Sequence, residues 1–130
     1  MMLSEFVKSA DWKNEKHVPV IECADTVQAG KPLAITISVG KETAHPNTTN
    51  HHIVWIALHY VPAGAKTSIE IARCEFSAHA AGVEGPDKGP ARTCSTVSIS
   101  AEFAVSGTLY ATAYCNIHGL WASEQPITVA

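Results

Sequence analysis

Nowhere in this chain are two cysteines spaced as a Cys-x-x-Cys pair; Cys23, Cys74, Cys94 and Cys115 lie far apart. An even count allows disulfides, but 130 residues can bury a core without such staples, and no secretory signal accompanies them. A Cys74–Cys94 bridge across the Gly/Pro-rich stretch between them stays open. Long apolar runs are missing too. The longest, Ile53 to Leu58, falls far short of the roughly 20 residues that span a bilayer. Met1 to Trp12 mixes charges into its apolar pattern and lacks the uninterrupted apolar stretch of a signal peptide. Excess charge is absent: a formal net charge of -3 excludes the broad basic surface that nucleic acid or an anionic membrane would require. Methionine occurs only as Met1 and Met2. These absences predict a soluble cytoplasmic protein of one domain, residues 1–130, with residues 1–14 as an N-terminal extension that packs Phe6 and Trp12 onto the body.

What is present is β-pattern. Val18 to Ala24 reads as a first strand, with Pro19 suited to an edge or strand start. Leu33 to Val39 alternates apolar and polar residues, the period-2 signature of a half-buried strand. His51 to Val61 is apolar on both faces, with His51, Ile53, Trp55, Ala57 and His59 opposite His52, Val54, Ile56, Leu58 and Tyr60, which predicts a central strand. Ser68–Phe76, Thr93–Val105, Leu109–Cys115 and Ile127–Val129 complete the set, the last as a closing edge strand after a loop over 116–124. Ser77 to Pro90, rich in Ala, Gly and Pro, reads as a surface excursion. About seven strands without a long helix predict an all-β fold, an immunoglobulin-like antiparallel β-sandwich.

The chemistry-bearing residues fall in three separated groups. Cys115-Asn116-Ile117-His118 places a thiol and an imidazole three positions apart where a strand ends, and a thiolate is a soft, strongly donating metal ligand. His45 and His51 stand at the two ends of one loop, with Pro46 limiting its freedom. His17 precedes the first strand; extended geometry would put Glu15 on its side, with Lys16 projecting away or over the rim. Five nitrogen and sulfur donors are too many for tetrahedral zinc. A mixed imidazole–thiolate set of that size suits iron, with four histidines in a plane, the thiolate axial and one face open. An axial thiolate would push electron density through the metal toward whatever reacts there, as in haem enzymes with a cysteine ligand.

Glu15-Lys16-His17-Val18-Pro19, His45-Pro46-Asn47-Thr48-Thr49-Asn50-His51-His52 and Cys115-Asn116-Ile117-His118-Gly119-Leu120-Trp121 together resemble the superoxide reductases of the desulfoferrodoxin family, in particular the one-iron neelaredoxin type. The likeness runs from about Asp11 to Glu124, and no four-cysteine N-terminal module is present. The resemblance implies one iron per chain, with His17, His45, His51 and His118 as equatorial ligands and Cys115 as the axial thiolate. It implies one-electron reduction of superoxide to hydrogen peroxide. Glu15 would fill the sixth position in the ferric state and leave on reduction, while Lys16 would attract the anion and help deliver a proton. Rubredoxin or a similar small electron donor and a homotetramer are implied as partners.

Other residues carry plainer expectations. His52, His59 and His79 read as core or surface histidines, Trp55, Tyr114 and Trp121 as packing around the site, and Asn47 and Asn50 as loop-shaping residues. The rival function is a cupredoxin-like electron carrier, which needs two histidines, a cysteine and usually an axial methionine. Met1 and Met2 lie outside any such site, and spare histidines would be left over. A metal-free binding module would leave the histidine loop without a purpose.

Overall fold

A computed structural model describes all of residues 1–130. Eight strands form two sheets: β1 (Pro19–Glu22), β3 (Leu33–Val39) and β6 (Thr96–Ala101) in the order β1-β3-β6, and β2 (Thr26–Val27), β4 (Ile53–Pro62), β5 (Ile69–Glu75), β7 (Gly107–Cys115) and β8 (Gly119–Val129) in the order β2-β8-β7-β4-β5. Every pairing is antiparallel except β2 with β8. The predicted sandwich is the observed fold, with β2 as an extra strand between β1 and β3 in sequence. No helix is long and apolar enough to cross a membrane.

Alternation decides which side chains meet between the sheets. Leu33, Ile35, Ile37 and Val39 of β3 face Ile56, Leu58 and Tyr60 of β4 and Leu109, Ala111, Ala113 and Cys115 of β7 in one cluster of 15 buried residues. Burying a leucine or isoleucine fully contributes about 1.5–3 kcal/mol, so these alternating positions are the main force holding the sheets together. The same alternation carries Cys115 into the core at the strand's end, where its residue is fully buried.

Three sequence expectations change here. The β4 register shifts between Ile53 and Trp55, a bulge that moves Ile53 onto the core face with Ile56, Leu58 and Tyr60 instead of beside Trp55 and Ala57. The region expected to be a loop over 116–124 is a tight turn followed by the long strand β8, whose Ser123, Glu124 and Pro126 mask its alternation. Phe6 is not packed onto the body: α1 is a single turn, Leu3–Phe6, with no buried residue. The N-terminal segment attaches through the Lys8 backbone, paired in parallel with Trp121, and through Trp12, which is half-buried with Lys41 Nζ 5.3 Å from its ring centre. All four cysteines are unbridged.

Candidate metal centre

The loop from 41 to 52 must leave β3, turn and enter β4 while presenting two histidines to one side. Gly40 permits the exit: its φ of +89° and the His45 backbone nitrogen 2.7 Å from where a Cβ would stand exclude other residues. Thr48 and His51 close the loop by exchanging backbone hydrogen bonds of 2.9 and 3.3 Å. That pairing occupies His51, which is why β4 starts only at Ile53. Asn116 then joins this loop to the turn after β7. Its Oδ1 accepts from the His52 N–H at 2.9 Å, its Nδ2 donates to the Asn50 carbonyl at 2.9 Å, and its own N–H donates to the His52 carbonyl. Sequence reasoning passed over Asn116 although it lies inside the cysteine motif; its partners, more than sixty residues upstream, are visible only in the fold.

Four imidazoles close a ring. Neighbouring ring centroids are 4.8 Å apart for His17–His45, 4.9 Å for His45–His51, 4.9 Å for His51–His118 and 4.7 Å for His118–His17. His17, His45, His51 and Cys115 each place a donor atom within 4.8 Å of the others. His118 Nδ1 lies 3.1 Å from His17 Nε2, 3.2 Å from His51 Nε2 and 3.8 Å from Cys115 Sγ. One imidazole nitrogen has a single in-plane lone pair or a single N–H, so it cannot satisfy three such neighbours at once by hydrogen bonding. The contacts are those of donors aimed at a shared point. Nitrogens 3.1 and 3.2 Å apart at right angles about that point lie roughly 2.2 Å from it, near the roughly 2.0–2.1 Å of an imidazole bond to a metal such as zinc.

Proton placement supports the same reading. His45 Nδ1 donates to the Pro46 carbonyl at 2.6 Å, which leaves Nε2 bare; that atom is buried and has no hydrogen-bond partner. His17 Nδ1 lies 2.6 Å from Glu15 Oε1, which directs its Nε2 inward. Such outer partners fix a ligand's tautomer and orientation. Burial holds His45 down to about 4, with the positive charges of its neighbours, Lys16 among them, adding to the effect. His51 is lowered too, by burial and then by His118. Neutral imidazoles are what a metal binds. For Glu15, burial works to raise the pKa, but the hydrogen bonds from His17 win and hold it below the usual carboxylate value.

The structure thus brings together His17, His45, His51, Cys115 and His118, and places Glu15 behind His17 instead of in the donor cluster. Lys16 is half-buried and near enough for its charge to act on His45 and His51. Two further sets of contacts complete the frame. Trp121 stacks on His17 with centroids 4.9 Å apart, and its indole N–H donates to the His118 carbonyl at 3.2 Å. The His118 backbone N–H points to Cys115 Sγ at 3.4 Å. Donors of this kind, four imidazoles over one buried thiol, fit a redox metal of intermediate softness such as iron. His52 and His79 stack on each other away from the ring, while His59 lies by Glu70 on the surface, as a histidine outside the donor set would.

Comparison with known proteins agrees with the geometry. The profile of the Desulfoferrodoxin (desulfoferrodoxin) family matches residues 9–124. The chain is similar to the neelaredoxin of Megalodesulfovibrio gigas, 46% identical over 129 residues that cover 99% of each chain. It is also similar to the superoxide reductase of Pyrococcus furiosus, at 44% identity over 95% of this chain and 97% of that one. Among solved structures, the superoxide reductase (neelaredoxin) of Archaeoglobus fulgidus in the reduced form superposes with a TM-score of 0.88 at 44% identity, covering 95% and 99% of the two chains.

Proposed function

Because the chain belongs to the desulfoferrodoxin family, we propose that it is a superoxide reductase. This oxidoreductase holds one iron per chain through His17, His45, His51, His118 and Cys115. The observation that carries the reading is the ring of four imidazoles over a fully buried thiol, with the bare, buried Nε2 of His45 among its donors. Iron bound there supplies a single electron to superoxide, which takes up two protons and leaves as hydrogen peroxide.

The chain's own residues set the conditions for that chemistry. Cys115 presents its sulfur from the core, with the His118 N–H directed at it, so the thiolate donates from the dry side. Superoxide therefore approaches from the solvent side, where His118 is exposed. Lys16 draws the anion in. Opposite unit charges about 4 Å apart attract by roughly 1 kcal/mol in water and about 4 kcal/mol at an effective dielectric of 20, so its main effect is on capture rate. Lys16 also helps deliver a proton. Glu15 would be a further ligand to ferric iron and would leave on reduction; its hydrogen bond to His17 Nδ1 is a place for it to withdraw to.

Residues 1–130 act as one cytoplasmic iron-binding domain, assembled as a homotetramer and re-reduced by rubredoxin or a similar small carrier. The cupredoxin-like alternative finds no support: a fourth imidazole stands in the ring, and no methionine lies beyond Met2.

Metal analysis of untagged protein should give about one iron per chain, and stopped-flow mixing with superoxide should yield peroxide without oxygen evolution. Cys115→Ser should abolish the thiolate-to-iron absorption and the activity together. A Cys115→Ser protein that kept its visible band would overturn the axial assignment, and copper or zinc in the wild type would sink the reading.

A further inference from the structure

The excursion of residues 77–93 between β5 and β6 contributes nothing to the donor ring, yet it fastens onto the loop that carries His45 and His51. Asp87 and Thr49 grip each other twice: the Thr49 N–H donates to Asp87 Oδ1 at 2.7 Å, and the Asp87 N–H donates to Thr49 Oγ1 at 3.1 Å. Thr49 Oγ1 in turn donates to the His79 carbonyl at 3.0 Å. The buried His79 ring spans from the end of β5 to the loop, with Nε2 2.6 Å from the Phe76 carbonyl and Nδ1 2.8 Å from Asn47 Oδ1. Its face lies on His52, centroids 3.5 Å apart and planes 2° from parallel. Thr49 and Asn47 each stand two residues from a histidine of the donor ring.

The excursion is itself held under strain. Ala80 and Asp87 are the only non-glycine residues at positive φ, 64° and 63°, a conformation disfavoured for residues with a Cβ. A side chain at Gly89 would overlap the Ala81 carbonyl. Strain of this sort persists only where surrounding contacts over-determine the backbone.

We propose that the 77–93 excursion is a brace, with His79 and Asp87 as positioning residues that keep the 45–51 loop in its metal-binding shape. The inference rests on the iron-site reading above. A loop without regular structure would otherwise have to be ordered when metal binds, and that ordering entropy would come off the affinity. The brace meets the ordering requirement during folding. Loss of one such outer support weakens metal binding by about tenfold or more.

The test is a chelator challenge of iron-loaded protein, following retained iron and the thiolate-to-iron absorption maximum, with thermal midpoints measured alongside. Asp87→Ala, at an exposed position that carries no folding risk from burial, should lose iron about tenfold more readily than wild type and shift the absorption maximum. His79→Phe, which keeps the stack but not the hydrogen bonds, should do at least as much. Asp87→Asn, which can still accept from Thr49 and tolerates the backbone conformation, should restore most of the retention. His59→Ala should match wild type. Equal retention in Asp87→Ala and wild type overturns the brace. So does equal iron loss in Leu109→Ala, a core truncation remote from the excursion, because the effect would then follow general stability. A wild type that holds no iron would instead bring down the iron-site reading itself.

Discussion

Cys115 and His45 face the same centre from opposite kinds of scaffold. Cys115 ends a nine-residue strand paired on both sides, by β4 and by β8, and its position follows from a hydrophobic ladder that would form with no ion in mind. His45 sits in a stretch without regular structure, and its ring direction depends on one hydrogen bond to the Pro46 carbonyl. Packing fixes the sulfur, and polar contacts fix the nitrogens. The two regions should therefore fail differently: damage to the first lowers the stability of the whole molecule, and damage to the second loosens the metal while the sandwich survives.

The hardest blow to the first region is Leu109→Ala. It removes a fully buried side chain beside Ala111 and should lower stability by about 2–5 kcal/mol, read by chemical denaturation, while folded protein keeps an unaltered visible spectrum. A shifted spectrum would show that the two regions are not separable. Asn116→Ala strikes the joint between them. Losing its side-chain hydrogen bonds to His52 and Asn50 should cost about 1–3 kcal/mol and make iron easier to extract, so both readouts should move together.

Acid sharpens the contrast without mutation. His45, held at about 4 against an ordinary 6.5, stays neutral in the folded chain across a window in which the unfolded chain takes up a proton. Stability of the metal-free protein should thus rise with pH between 4 and 6.5 and fall as pH drops through it. The lowered His51 acts in the same sense. Thermal midpoints that stay flat across this window would contradict the burial of these rings. The smallest structural effect belongs to Lys16→Ala. Superoxide capture, followed by pulse radiolysis at low salt, should slow several-fold, with spectrum and stability unchanged; an unaltered second-order rate would remove Lys16 from its role.

Legibility in the sequence follows the same division. β3 was readable to the residue because Leu33 to Val39 alternates without interruption and its partners follow suit. The donor ring was readable because histidine and cysteine are scarce and their three groups carry recognisable spacing. The bulge at Ile53–Trp55 was not, since both faces of β4 are apolar and the pattern cannot register a one-residue slip. Of β8 only Ile127–Val129 is legible; the rest is hidden by Pro126 and by polar residues on a strand whose neighbours are set elsewhere. The pairings of Asn116, His79 and Asp87 are hidden for a related reason: each joins a partner at least thirty residues away in sequence, and no local pattern reports such a pairing.

The ring's place at the rim has one more consequence. Cys115 and His17 are buried, His45 and His51 are half-buried, and His118 is open to solvent. Assembly of the polypeptide and delivery of its ion can then be successive events, with the finished sandwich charged from outside and no need to melt it again. Maturation would be limited by the supply of ferrous ions around an already completed protein.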